Sequence, residues 1–306
     1  MNKIISSIIA TSLILSGCSN MTDNHSTNKS QTQHETKSIP EKMPAQEYTG
    51  QGFQPDATNE AIKFAKKHRK EFEKLGEQFF KDNFSLNVKA TNVVAVDDDG
   101  VEVYVHCNDN GIVFNASIPL TKDSLGVPGS FRSTDTSSEM EMLVGTVLSG
   151  FEYRGQKEKY DNLTQFYKDN AKKYNYTGFT KEAVNKTQGI GYQNEYYYIV
   201  YSSRSLKEYR KYFEPLIHKN EKEFKEGMLK ARKEMGYTAD ANVYSTLFTD
   251  QFNNNHKQKV KDWIIFTDNL QKQPNFPENV DILSQLGDEF IPTKNANYNE
   301  KKVIEF

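Results

Sequence analysis

Val101-Glu102-Val103-Tyr104-Val105-His106-Cys107-Asn108-Asp109-Asn110-Gly111-Ile112-Val113-Phe114-Asn115-Ala116-Ser117-Ile118-Pro119 reads as two β-strands joined by a tight turn. Val101, Val103, Val105 and Cys107 alternate with Glu102, Tyr104 and His106, and Ile112, Phe114, Ala116 and Ile118 alternate with Val113, Asn115 and Ser117. A period of two places each set on one face of a pleated strand. Asn108-Asp109-Asn110-Gly111 lies between the runs, with turn residues that tolerate positive φ. Upstream, Asn92 to Val96 runs into a second turn at Asp97-Asp98-Asp99-Gly100. The pattern predicts a three-stranded antiparallel meander from about Leu86 to Pro119. Cys107 falls on its apolar face, while Glu102 and His106 share the other.

Helical signals flank the meander. Phe64, His68, Phe72, Leu75 and Phe79 recur at spacings of three and four, which predicts one amphipathic helix from Asn59 to Asn83. Its outer face mixes Lys63, Lys66, Lys67, Arg69, Lys70 and Lys74 with Glu71 and Glu73, so a solvated face is the simplest account of those charges. His68, within the apolar stripe, is expected at the edge of the core. Downstream, helices are expected over 139–148, 158–174 and 180–186, and again from Ser205 to Met235 with a break near Pro215. Strands are expected over 192–201 and 242–248. A helix follows from Lys257 to Leu270, and a short one near Val280 to Leu286. The expected fold class is α+β, an antiparallel meander with several helices packed on it. The strand-rich regions 86–119 and 192–248 fit either two similar lobes, with a boundary near 150–190, or one mixed sheet.

Hydrolase and nucleotide motifs are absent. There is no Gly-x-Ser-x-Gly elbow, no His-Glu-x-x-His and no phosphate-binding glycine loop. Ser26-Thr27-Asn28-Lys29 has Ser-x-x-Lys spacing but lies in a polar tract. The acidic turn at Asp97 lacks the glutamate that a calcium loop needs at its twelfth position, since residue 108 is Asn. Glu102 and His106 could form an acid–base pair, although a solvent-facing strand surface explains them more simply. The tyrosines between Tyr192 and Tyr201 could stack on sugars or peptides. A formal charge of -2 leaves no global field for nucleic acid. No cofactor, metal site or catalytic residue is expected. His25 and His34 sit in the polar tract, where solvation explains them.

The N-terminus has a separate logic. Lys3 precedes an apolar run from Ile4 to Leu15, too short for the roughly 20 residues of a membrane-spanning helix. It ends in Leu15-Ser16-Gly17-Cys18, which resembles the lipobox of bacterial lipoproteins. The resemblance implies cleavage between Gly17 and Cys18, with S-diacylglycerol and N-palmitoyl groups on Cys18. Two or more acyl chains exceed the threshold for stable membrane attachment. Cys107 is the only other cysteine, so no internal disulfide competes. Ser19 to Lys37 is polar, with Met21 its one large apolar residue, and reads as a tether. The expected organisation is a signal peptide over 1–17, a lipidated tether over 18–45 and a globular region over 46–306.

The lipobox, the polar tract, the length and the segment Met43-Pro44-Ala45-Gln46-Glu47-Tyr48-Thr49-Gly50-Gln51-Gly52 together resemble an uncharacterised family of staphylococcal lipoproteins, known only as a domain of unknown function. That resemblance implies a place on the outer face of a Gram-positive cytoplasmic membrane, and no activity. The expected role is a lipid-anchored module that binds an envelope protein, peptide or glycan. The alternatives are a solute-binding lipoprotein of a transporter and an envelope hydrolase without a recognisable motif.

Overall fold

A computed structural model describes residues 39–126, 132–134, 136–236, 241–250, 256–296 and 303–305. Gly17, Cys18, His25, Ser26 and His34 lie outside them. Pro40–Phe306 forms one compact unit.

Strand β1 (Lys42–Pro44) leads in. Helices α1 (Asn59–Lys67) and α2 (Arg69–Phe84) follow, then β2 (Val88–Val96), β3 (Gly100–Asp109) and β4 (Ile112–Thr121). Asp109 faces Ile112 across a two-residue turn in which Asn110 and Gly111 have φ of 50° and 78°. Cys107 is fully buried, and burial pushes its thiol up to about 12. The expected meander is present, and one helix differs. The predicted Asn59–Asn83 helix breaks at His68, whose ψ of 17° ends α1 and starts α2. Gly76 then lets α2 settle on the sheet, since a Cβ there would stand 2.7 Å from Val103 Cγ1.

Helices α3 (Ser138–Gly155), α4 (Lys157–Tyr174) and α5 (Lys181–Thr187) come next. Ser137 and Thr180 cap α3 and α5 by accepting from the third backbone N–H beyond them. Strands β5 (Ile190–Gly191) and β6 (Tyr197–Tyr201) replace the single strand expected over 192–201. A turn interrupts it, because Asn194 Oδ1 accepts from the backbone N–H groups of Tyr196 and Tyr197. The expected helix from Ser205 becomes α6 (Leu206–Glu208), a π-turn over Tyr209–Phe213, a 3-10 turn at Glu214–Leu216 and α7 (Glu221–Met235).

Strand β7 (Ala241–Thr249) and helix α8 (His256–Gln271) match expectation. Strand β8 (Val280–Asp288) does not, since a helix was expected there. Val280, Ile282, Ser284 and Leu286 alternate with more exposed residues, and β8 lies parallel to β7. That period-two pattern overrides the helical reading. The chain ends with β9 (Phe290–Pro292) and β10 (Val303–Glu305). β9 pairs with β1, so the compact unit takes in the chain from Pro40. Ala45 and Tyr48 are fully buried.

The sheets run β2-β3-β4-β5 and β10-β8-β7-β6. They meet at residues 190–193: β5 pairs with β4, and Ile199 N–H donates to Tyr192 O at 2.9 Å. Helix α3 spans this seam. A Cβ at Gly150 would lie 2.8 Å from Val113 O of β4, and one at Gly145 2.8 Å from Tyr201 O of β6. The fold is α+β, with an antiparallel first sheet and a mixed second one.

Candidate functional site

An open concavity lies where segment 176–182, the turn at 193–196 and the outer face of β6 meet. Two adjoining hollows of about 430 and 240 Å³ share Phe179, Glu195 and Tyr196. The segment is held from both sides. Thr177 and Phe248 exchange two backbone hydrogen bonds, of 2.9 and 2.8 Å, and Phe179 N–H donates to Glu195 O at 2.9 Å. Gly178 makes the approach possible, because a Cβ there would stand 2.0 Å from Glu195 O. The Phe179 ring is fixed edge-on against Phe248 at 5.0 Å.

The other wall is aromatic. Tyr196 stacks on Tyr167 at 6.2 Å, and Tyr198 on Tyr244 at 5.4 Å with ring planes 19° apart. Tyr198, Tyr244 and Leu283 stand in register across β6, β7 and β8 on the outward face. Ile190 and Leu283 are exposed. The turn is braced from below: Asn194 Nδ2 donates to Thr164 Oγ1 at 3.1 Å, and Tyr197 O–H donates to Tyr160 O at 2.9 Å. Lys181, Glu182 and Glu195 give the rim charges of both signs. Fixed aromatic faces beside backbone groups suit a ligand that stacks and hydrogen-bonds, as peptides and sugars do. Of the tyrosines flagged in the sequence, Tyr196 and Tyr198 line this groove with partly exposed rings, Tyr197 borders it but is buried, and Tyr201 is buried in the core. Phe179 and Gly178 carry no such signal in the sequence, because their roles depend on Phe248 and Glu195, distant along the chain.

Glu102 and His106 stand elsewhere. Their face of the meander is covered, which corrects the expectation of a solvent-facing surface. Phe53 packs edge-on to Tyr104 at 5.6 Å, and Asn92 Nδ2 donates to Lys186 O of α5 at 3.0 Å. Burial raises the Glu102 carboxyl, opposed by a hydrogen bond with Ser117. Burial lowers the His106 imidazole, opposed by its 2.9 Å bond to Asn115, with Lys181 lowering it further. Four residues of strand put the two side chains about 13 Å apart, beyond proton-transfer range. They are not an acid–base pair. His68 lies at the core edge against Phe64 and pairs with Glu71. Among the described residues, no three His, Cys, Asp or Glu side chains converge as metal ligands.

A family model described as a protein of unknown function, DUF1672, matches residues 35–306. A crystal structure of a DUF1672 family protein from Staphylococcus aureus is 48% identical and superposes with a TM-score of 0.83, covering 88% of this chain and 98% of that one. No curated protein matches the chain. With nearly its whole length matched, the chain belongs to the DUF1672 family of proteins of unknown function.

Proposed function

We propose that this protein is a membrane-anchored surface lipoprotein, cut before Cys18 and held by lipid on that residue, whose folded unit binds a peptide or glycan of the cell envelope in the Phe179–Tyr196–Tyr198 groove. The anchor rests on Leu15-Ser16-Gly17-Cys18 after a twelve-residue apolar run. Among the described residues no helix is long and apolar enough to cross a membrane, so attachment falls to the N-terminus. The observation that carries the binding role is the groove itself, with aromatic faces locked by Phe248, Tyr167 and Tyr244 before any ligand arrives. Preorganised rings lose little entropy on binding.

A photo-crosslinking residue at position 196, with one at Leu229 on α7 as control, tests the role in cells. The expected result is a discrete adduct from position 196 alone. The same adducts from both positions, or none from position 196, would remove the groove as the binding site.

A further inference from the structure

Helices α1 and α2 carry six lysines on their outer side: Lys63, Lys66, Lys67, Lys70, Lys74 and Lys81 are all exposed. The acids between them suggest a neutralised surface. Those acids keep their charge while bonding to particular partners, so seven cations and five carboxylates over Asn59–Phe84 leave a formal excess of +2. Glu73 pairs with Arg69 at 2.7 Å, Glu71 with His68, and Glu77 accepts from the backbone N–H of Ala90 at 3.1 Å. Asp82 accepts from Gln78 at 2.6 Å. Glu60 sits in the first turn of α1, where the helix dipole favours it. None of the six lysines enters an ion pair or side-chain hydrogen bond among the described residues.

The lysines form a ridge. Within α2, Lys70 to Lys81 covers about 17 Å of helical rise, and Lys63, Lys66 and Lys67 lie on α1 before the break at His68. The opposite side of the pair buries Phe72, Phe80 and Phe84, and the contact at Gly76 presses α2 onto the meander, so the ridge is fixed to the core. Both groove hollows lie on other elements. Arg69 is the one guanidinium on these helices, and its Nε is held by Glu73 at 2.7 Å. Lysine ammonium groups are point charges without bidentate geometry, suited to a diffuse anionic field.

We propose that the α1–α2 ridge is a docking surface for an anionic phospholipid bilayer, and that it sets which face of the folded unit lies against the membrane. Charge complementarity carries the choice of partner: six exposed lysines on two consecutive helices, with a formal excess of +2, suit a sheet of phosphate headgroups. The inference rests on the anchoring reading for proximity. The chain between Cys18 and Pro40 spans at most about 75 Å even when fully extended, which keeps the unit near its own bilayer. Each lysine close to an anionic surface raises partitioning about fivefold, so a few acting together suffice to orient a unit already held nearby.

The test is lysine footprinting on the full chain. The protein is mixed with neutral phosphatidylcholine vesicles or with vesicles also containing phosphatidylglycerol, treated with an amine-reactive reagent, and each lysine is read by mass spectrometry. With anionic vesicles, labelling of Lys63, Lys67, Lys70 and Lys74 is expected to fall on the order of tenfold, and to recover in about 1 M salt, where screening shortens to about 3 Å. Lys222 on α7 is expected to stay unchanged. The triple variant Lys67→Glu, Lys70→Glu, Lys74→Glu alters only exposed positions and should abolish the salt-sensitive protection of Lys63. Equal labelling in both vesicle types overturns the proposal, as does equal protection of Lys222. Protection by a soluble polyphosphate but not by anionic vesicles overturns it in favour of a polymer partner. Vesicle flotation separates the two readings: floating without ridge protection removes the ridge alone, and protection without stable flotation removes the anchor alone.

Discussion

Glu152 and Glu102 show how one residue type answers to its surroundings. Glu152 is buried in α3 against Arg232 of α7, and accepts from Gln156 Nε2 at 2.8 Å and Tyr160 O–H at 3.2 Å. Glu152→Ala removes the buried carboxylate that Arg232, Gln156 and Tyr160 all meet. The expected loss is about 3–5 kcal/mol of stability, measured by chemical denaturation. Among the described residues Glu102 enters no ion pair, and burial raises its carboxyl above the ordinary range. A raised carboxyl contributes stability below its unfolded value of about 4.3 and loses it as pH climbs through the folded value. Glu102→Gln keeps a side chain able to bond Ser117 and removes the buried charge. Its melting temperature should exceed that of the parent at pH 7, with the gap closing at pH 4; a gap that is equal or wider at pH 4 contradicts the burial argument. His106 has the opposite sign. Its depressed imidazole keeps full stability above about 6.5 and loses it as pH falls. The sequence placed Glu102 and His106 on one face of β3 correctly. It could not show the cover, because Phe53 and α5 arrive from far along the chain.

Helix α3 acts as the keystone element. Its glycines are the points where it touches both sheets, so adding a methyl group forces backbone apart. Gly150→Ala, 2.8 Å from a carbonyl of β4, is expected to cost about 1–3 kcal/mol by overpacking. Gly155→Ala, with its nearest neighbour at 3.8 Å, is expected to be neutral or to gain up to about 1 kcal/mol from helix propensity. Thermal melts of both variants check the pair, and equal losses would refute the seam geometry. Elements with a clean local period were legible in advance: the meander, α4 and α8. Those decided by distant partners were not. β8 mimics a short helix until Ser284 is counted with Val280, Ile282 and Leu286 on the face that meets the core, where Tyr167 O–H bonds the Ser284 hydroxyl at 2.8 Å. β9 is three residues long and forms only because β1 is there to pair with it.

At the scale of the molecule, the groove is a product of assembly. Segment 176–182 closes against β7 and the turn at 193–196, and Gly178 is the hinge point of that closure. Gly178→Ala has no room at 2.0 Å from Glu195 O, so it must displace the segment and remove the crosslink at position 196. The folded unit retained under milder conditions would still show the far-ultraviolet signature of the parent, which separates a reshaped groove from global unfolding. The sequence pointed to the tyrosine cluster as a stacking surface, and two of those residues line the groove. It could not divide them between core and surface, because the turn at Asn194 resets the strand phase.

Cys18 is the residue on which the proposed reading depends, since the proposed roles of both the groove and the lysine helices presuppose attachment there. Mass spectrometry of the N-terminal peptide of the protein purified from the membranes of its native host decides this directly. The predicted species begins at Cys18 and carries a diacylglyceryl group, and Cys18→Ala abolishes incorporation of labelled fatty acid. An unmodified peptide beginning at Met1, or cleavage at another position, would contradict the account.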